Sequence, residues 1–202
     1  MSTFEHYRVK RGFNSLTAFL VAPARLSFQL RCRLIGSERA YLELSERAAR
    51  WPGVRGERMR CALHRRLGTP IGDAAILKFG CVLARPPLSI GRMTVLGHYV
   101  SVQHASIGAD CLIGDHVLIV DGRRQHNMDR LDIPINAQGI AVTRVHVGDD
   151  CLIGGHATIL ADVGDHCVVA AGSVVVDPVQ DFKIVAGNPA RVIGDRRARG
   201  VA

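Results

Sequence analysis

The feature that most constrains this chain is an aliphatic residue that recurs at intervals of six positions, with irregular steps of seven residues after Leu83, five after Val102 and four after Ile159. The series comprises Ile71, Leu77, Leu83, Ile90, Leu96, Val102, Ile107, Ile113, Ile119, Val147, Ile153, Ile159, Val163, Val169 and Val175. Small residues often follow these positions, and Asp, Asn, Gly or His stand at the turns between them. The pattern predicts a triangular coil of short parallel strands, with one aliphatic side chain per hexad pointing inward and three hexads per turn.

A coil of this kind has a narrow interior, which agrees with the composition. Aromatic residues make up only 5% of the chain, whereas 21 glycines are present. No segment between the short strands is long enough to hold a crossover helix, which excludes a doubly wound α/β fold. The sequence therefore predicts a mainly β protein, a parallel β-helix of hexapeptide repeats, from residue 68 to residue 194.

The cysteines follow the same repeat. Four of the six, Cys81, Cys111, Cys151 and Cys167, each lie four residues after a repeat position, where other hexads carry Ala, Thr, Val or Ser. No Cys-x-x-Cys pair is present. A free thiol packs as a small apolar group. We therefore expect reduced, buried cysteines in an intracellular protein, without a disulfide framework or a zinc site.

Residues 1–67 do not share the repeat and are predicted to form a helical N-terminal extension. Apolar spacing and capping residues favour one helix from Ser37 to Arg50, ended by Trp51-Pro52-Gly53, and another from Glu57 to Leu67. Residues 195–202 form a basic tail. An apolar run over residues 16–22 is far shorter than the roughly 20 residues that span a bilayer, so an N-terminal helix is favoured over a signal peptide, and its contact with a membrane surface is left open.

The net charge of +8 favours an anionic partner. The surplus lies mainly in residues 1–70 and in the tail, which argues against nucleic acid bound along the repeat. A phosphorylated cofactor and an acidic membrane surface remain as candidates. We expect a cytoplasmic protein, with a peripheral location at the inner face of the membrane left open.

One polar excursion, the loop 121–146, interrupts the repeat before it resumes in phase. Loops on a regular scaffold commonly carry function. Of nine histidines, His116, His156 and His166 fall at turn positions, and His98 lies within the regular repeat. His104 and His146 flank irregular steps and remain candidate substrate contacts. Only His126 lies inside the excursion, which makes it the first candidate for catalysis.

The repeat region resembles the hexapeptide-repeat acyltransferases, and most closely the maltose, galactoside and polysaccharide O-acetyltransferases. The matching segments are 147–160 (VGDDCLIGGHATIL), 171–175 (AGSVV) and 184–193 (IVAGNPARVI). The resemblance implies a left-handed coil, a homotrimer, and acetyl-CoA bound along the groove between neighbouring coils. It also implies a loop histidine that removes the proton from an acceptor hydroxyl.

On this resemblance His126 is the expected general base, a role that suits a side chain titrating near neutral pH. Asp121, Asn127 or Asp129 could orient its ring, and the sequence does not choose between them. Coenzyme contacts are expected at a further set of positions, where backbone and small side chains allow close approach or cations meet phosphates: Gly155, Ala170, Ala171, Ser173, Lys183 and Arg191. No metal is expected.

Some positions depart from the family pattern. Leu152 stands where many relatives carry Trp, Val176-Asp177 replaces a frequent Thr-Lys, and the step from Ile159 to Val163 is two residues short. Two alternatives remain: a non-catalytic β-helix scaffold, and a zinc enzyme like the γ-class carbonic anhydrases. The acceptor, its O- or N-nucleophile and the acyl length cannot be predicted from the sequence.

Overall fold

The computed structural model describes Val21 and residues 23–85, 87–120 and 126–198. Three helices come first: α1 (Pro23–Ile35), α2 (Ser37–Ala49) and α3 (Gly53–Arg66). The start of α2 agrees with the prediction, but α3 begins four residues before the predicted Glu57. Pro52 is the N-cap of α3 rather than part of a longer break, because its extended backbone leads directly into the first helical turn.

The helices pack on the first turn of the coil through α2 and α3. The predicted apolar face of α2 is buried, and the Ser45 hydroxyl accepts a hydrogen bond from Leu83 N at 2.9 Å. Buried Arg60 of α3 donates from Nε to Leu77 O at 2.9 Å and from Nη1 to Trp51 O at 2.5 Å. One guanidinium therefore joins the helical extension to the coil.

Fifteen short strands follow the helices in the described part of the chain. They are β1 (Ile76–Leu77), β2 (Val82–Arg85), β3 (Ser89–Ile90), β4 (Val95–Leu96), β5 (Ser101–Gln103), β6 (Ala105–Ile107), β7 (Leu112–Ile113), β8 (Leu118–Ile119), β9 (Val145–Val147), β10 (Leu152–Ile153), β11 (Thr158–Ile159), β12 (Val168–Val169), β13 (Val174–Val175), β14 (Lys183–Ala186) and β15 (Arg191–Asp195).

These strands form three parallel sheets, one for each face of a triangular coil. Their orders are β1-β4-β7-β10-β12-β14, with β15 added antiparallel at the end; β2-β5-β8-β11-β13; and β3-β6-β9. Every residue of the predicted six-residue series is buried. The fold is a left-handed parallel β-helix of hexapeptide repeats with N-terminal helices, which confirms the predicted fold class.

The irregular steps keep each face in register. After the four-residue step, Val163 bridges Val147 below it and Val179 above it, so the third sheet continues through single residues. The corners require close backbone approach: a Cβ on Gly154 would lie 2.4 Å from Ala171 N. Glycine after a repeat position is therefore a steric requirement at such corners.

Three of the four cysteines in the repeat form a column inside the coil. The Sγ atoms of Cys111, Cys151 and Cys167 each donate to a carbonyl oxygen of the next turn, at 3.1, 3.0 and 3.1 Å. All six cysteines lie within the described residues and are free thiols. Packing, as predicted, accounts for the four in the repeat.

The last strands close the end of the coil. β15 pairs antiparallel with β14, and Lys183 Nζ lies 3.0 Å from Asp195 Oδ2. Arg196 reaches back to Asp150 Oδ2 at 2.9 Å, and the Arg197 guanidinium lies over the Phe182 ring. The described start of the basic tail thus covers one corner of the coil instead of extending away from it. The division of the chain into the units 1–67, 68–194 and 195–202 remains a prediction.

A buried histidine in the helical extension gives a pH-dependent stability. His64 Nδ1 lies 2.8 Å from the Tyr41 hydroxyl, and burial, aided by nearby Arg60, lowers the pKa of His64 from 6.5 to about 3. The unfolded chain therefore binds a proton that the folded chain does not. Between these two pH values, the free energy of unfolding should decrease as the pH is lowered, by at most about 1.4 kcal/mol per unit.

Urea unfolding at several pH values between about 6.5 and 5 measures this slope, because most carboxylates stay ionised in that window. The variant His64→Gln should lose the slope while keeping a polar partner for Tyr41. An equal slope in the variant would show that another group takes up the proton.

Candidate active site

The excursion in the repeat lies between β8 and β9, and its described part runs from residue 126 to residue 144. It folds back on itself: His126 forms an antiparallel bridge with Ile140, and Asn127 N donates to Gly139 O at 3.2 Å. The Asn127 side chain donates to Gln138 O at 3.1 Å. His126 therefore lies at the closed base of a loop that two backbone segments define.

Gln138 holds the tip of this loop together. Its Oε1 accepts from Arg130 N at 3.0 Å, and its Nε2 donates to Arg130 O at 2.6 Å and to Ile133 O at 3.1 Å. A 3₁₀ turn, Ile135–Ala137, precedes it, and Arg130 pairs with Asp132. The loop thus has a hydrogen-bonded framework of its own, which the repeat did not predict.

Four residues of this loop were predicted to take part in catalysis, His126 as the base and Asp121, Asn127 or Asp129 to orient its ring. The His126 side chain is exposed to solvent, as a proton acceptor for an incoming substrate must be. Asn127 is engaged in closing the loop through its amide nitrogen. Asp121 lies outside the described residues, and Asp129 is exposed. Which residue orients the His126 ring therefore remains a prediction.

The other described histidines have structural partners that account for most of them. His116 and His156 occupy left-handed turn positions and stack on each other with ring centroids 4.8 Å apart. His166 Nδ1 lies 2.9 Å from Asp150 Oδ2, and His98 contacts Asp115. The predicted assignment of these residues to corners and regular repeat agrees with the structure.

His146 lies in β9, and His104 is the corner residue between β5 and β6. His146 Nδ1 is 2.9 Å from the Ser106 hydroxyl on the neighbouring strand, and its backbone nitrogen donates to Asp162 Oδ1 at 2.8 Å. His104 has a buried Nδ1 without a hydrogen-bond partner among the residues that the structure describes. Sequence reasoning missed Ser106, whose pairing becomes visible only when the register of β6 and β9 is known.

The small residues predicted to contact coenzyme come together at one corner. Gly155 O accepts from Gly172 N at 2.9 Å, so Gly155 and Ala171 lie one above the other on successive turns. Ala170 directly precedes Ala171 in the chain. Ser173 differs, because it is buried and its hydroxyl accepts from Gly187 N at 3.1 Å. Its side chain braces the turn at Gly187.

The two predicted phosphate-binding cations have acidic neighbours. Lys183 is paired with Asp195, whose pKa Arg197 and Lys183 hold well below its usual range. Arg191 lies 3.7 Å from Asp177 Oδ2 and donates to Ala190 O. Asp177 is the residue that departs from the family's Thr-Lys, and it places a carboxylate beside Arg191. Of the two cations, Arg191 is the more exposed.

A pocket of about 570 Å³ opens between the helices and the first turn of the coil. Phe28, Leu67 and Leu88 supply apolar walls, and Glu38 and Arg144 supply charge. Arg144, the last residue before β9, donates to the Ser89 hydroxyl at 3.2 Å. The end of the loop is thereby joined to this pocket.

The described residues show neither a metal cluster nor a membrane-spanning helix. They contain no group of three or more His, Cys, Asp or Glu side chains placed to hold a metal ion. Among the same residues, no helix is both long and apolar enough to cross a bilayer.

Comparisons with known proteins agree with this architecture. The family described as hexapeptide repeat of succinyl-transferase matches residues 144–176. No curated protein matches the sequence significantly. A galactoside acetyltransferase in complex with coenzyme A has a TM-score of 0.68 at 20% identity, over 80% of this chain and 82% of that chain.

Two further solved structures are similar. A maltose O-acetyltransferase from Clostridium difficile 630 has a TM-score of 0.61 at 21% identity, over 80% of this chain and 88% of that one. AntD, an N-acyltransferase from Bacillus cereus in complex with dTDP and 3-hydroxybutyryl-CoA, has a TM-score of 0.55 at 20% identity, over 64% and 74%. At these identities the likeness shows a shared fold. The predicted resemblance of this chain to the hexapeptide-repeat acyltransferases is thereby confirmed.

Proposed function

We propose that this protein is an acyl-CoA-dependent O-acetyltransferase that transfers an acetyl group from acetyl-CoA to a hydroxyl of a sugar, a glycan or a related small acceptor. The observation that carries the proposal is the exposed His126 at the closed base of the loop that interrupts the coil. The similar solved structures, which include acetyltransferases and an N-acyltransferase, support an acyltransferase.

In this mechanism a neutral nitrogen of His126 accepts the proton of the acceptor hydroxyl as its oxygen attacks the thioester carbonyl. The carbon–sulfur bond then breaks, the protonated His126 gives its proton to the departing sulfur so that the coenzyme leaves as the thiol, and an acetyl ester remains on the acceptor. An alcohol is a weak nucleophile, so a positioned base contributes about 10²–10⁴-fold to the rate. Asp121 or Asn127 would hold the ring in the productive orientation.

Acetyl-CoA would lie along the corner that carries Gly155, Ala170 and Ala171. Small residues there leave the backbone accessible, which suits the thin pantetheine arm. Ser173 would contribute through the backbone of its turn, because its hydroxyl is already engaged with Gly187. Arg191 and Lys183 would approach the phosphates only in competition with Asp177 and Asp195. We therefore expect modest affinity for coenzyme A.

We also propose a homotrimer in which neighbouring coils complete the coenzyme groove, and a cytoplasmic location with peripheral contact to the inner face of the membrane. The trimer follows from the resemblance to the acyltransferase family, and the mass of the purified particle in solution tests it. The membrane contact follows from the basic N-terminal region, since the surplus of arginine there favours an anionic surface.

Release of free thiol from acetyl-CoA, measured with a panel of acceptors, tests the proposed function. Sugars that bear only hydroxyls and nucleotide sugars that bear an amine form the two arms. We expect thiol release with a hydroxyl acceptor and an acetyl ester in the product. Release only with amine acceptors would correct the nucleophile, and release with none of them would contradict the transferase.

Two alternatives give different results in the same preparation. A non-catalytic β-helix scaffold would neither bind coenzyme A nor consume the thioester. A zinc enzyme like the γ-class carbonic anhydrases would carry stoichiometric zinc, which metal analysis of the purified protein measures.

A further inference from the structure

The outer face of α1 carries two parallel rows of exposed side chains. Leu26, Leu30 and Leu34 recur every four residues, and 73%, 59% and 74% of their surface is exposed. Arg25, Gln29 and Arg33 precede them and form the second row, which is also exposed. Residues four apart lie on one side of a helix. The leucine row therefore makes an apolar stripe about 12 Å long, bordered on one side by the row that contains Arg25 and Arg33.

The opposite face of α1 fixes the helix to the protein. The Phe28 ring packs edge-on against Tyr41 of α2, with centroids 6.5 Å apart, and Arg31 forms an ion pair with Glu43 of α2. No residue of α1 is fully buried. The helix thus lies on the outside of the molecule, anchored along one side, and holds its leucines outward.

Charge selects the kind of surface that would cover this stripe. The segment Pro23–Ile35 contains no acidic residue, and residues 23–66 contain eleven arginines and four glutamates. A second copy of the chain would bring two such arginine rows together, which is repulsive. An anionic bilayer instead accepts the leucines among its acyl chains and the arginines among its headgroups.

We propose that α1 is a membrane-docking helix. It lies in the plane of an anionic bilayer, with Leu26, Leu30 and Leu34 inserted below the headgroups and Arg25 and Arg33 bound to lipid phosphates. The proposal names the surface for peripheral membrane contact and does not depend on acyl transfer. It would place the coil and its loop close to the lipid surface.

Co-sedimentation of the full-length chain with lipid vesicles tests this proposal. One set contains phosphatidylcholine alone, and the other contains about one third phosphatidylglycerol. The variants are Leu26→Glu/Leu30→Glu and Arg25→Gln/Arg33→Gln. The matched control is Val192→Glu/Ile193→Glu, which makes the same change at two exposed aliphatic residues at the other end of the coil. Thermal unfolding of each variant verifies its fold.

We expect the wild type and the control to bind the anionic vesicles. The leucine variant and the arginine variant should each lower the partition coefficient at least about tenfold. Equal binding to neutral vesicles, no binding by the wild type, or unchanged binding by the leucine variant would overturn the proposal. Concentration-dependent dimers that disappear in the leucine variant, without vesicle binding, would identify a second copy as the partner.

Discussion

Replacing His126 by alanine is expected to lower the rate of acetyl transfer at least about a hundredfold, while coenzyme A still binds. Alanine removes the proposed proton acceptor but leaves the backbone bridge to Ile140, because that bridge does not involve the side chain. The proposed coenzyme corner at Gly155 and Ala171 belongs to the coil and not to the loop. A loss in turnover without a loss in coenzyme binding is therefore the expected pattern.

Thiol release from acetyl-CoA gives the rate, and isothermal titration with coenzyme A gives the affinity. His116→Asn is the matched control, since His116 is an exposed histidine at a left-handed turn and asparagine tolerates that backbone conformation. The control should retain transfer. Wild-type turnover in His126→Ala would remove this residue from the mechanism, and parallel loss in both variants would point to a structural effect.

Replacing Ile153 by alanine is expected to lower the free energy of unfolding by about 2–5 kcal/mol. Ile153 is fully buried, pairs with Ile113 below and Val169 above, and belongs to the series that fills the narrow interior. Such a coil has few ways to collapse around a lost side chain, because its turns are fixed by the ladders of all three sheets. A cavity would remain there.

Leu152 is the control for this prediction, because it is the preceding residue of the same two-residue strand and points outward with 46% of its surface exposed. Leu152→Ala should change the stability by less than about 1 kcal/mol. Urea unfolding of both variants beside the wild type measures the difference. Equal losses of stability in the two variants would mean that Leu152 is buried in the assembled protein. Contacts beyond the single coil would then contribute to the free energy of unfolding.

The fold could be predicted because one constraint repeats many times. Each hexad must place an aliphatic side chain inside a bore that admits little else, so the series from Ile71 to Val175 identified the inward residues of all three faces. The start of α3 could not be obtained in the same way. Pro52 and Gly53 are compatible with both a break and a helix start, and the structure shows Pro52 as the N-cap that leads directly into the first turn of α3.

The candidate site was less accessible to sequence reasoning, because its contacts join residues that the repeat does not relate. Gln138 holds Arg130 and Ile133 by side-chain hydrogen bonds inside an aperiodic loop. The pairing of Lys183 with Asp195 depends on the antiparallel hairpin that closes the coil. His126 was found by elimination among histidines, and its role still depends on the chemical argument and on the predicted rate loss.

The position of the loop has a consequence for how this scaffold can change its specificity. Strand β9 pairs with β6, and β11 pairs with β8, so the turns before and after the loop are held in register by their own ladders. The loop can therefore lengthen, shorten or be exchanged without moving the corner at Gly155. If acetyl-CoA binds at that corner and the acceptor at the loop, as proposed, acceptor choice and acyl-donor binding are separately adjustable, and grafting a foreign loop between Ile119 and Val145 would be a route to new acceptors on an unchanged donor site.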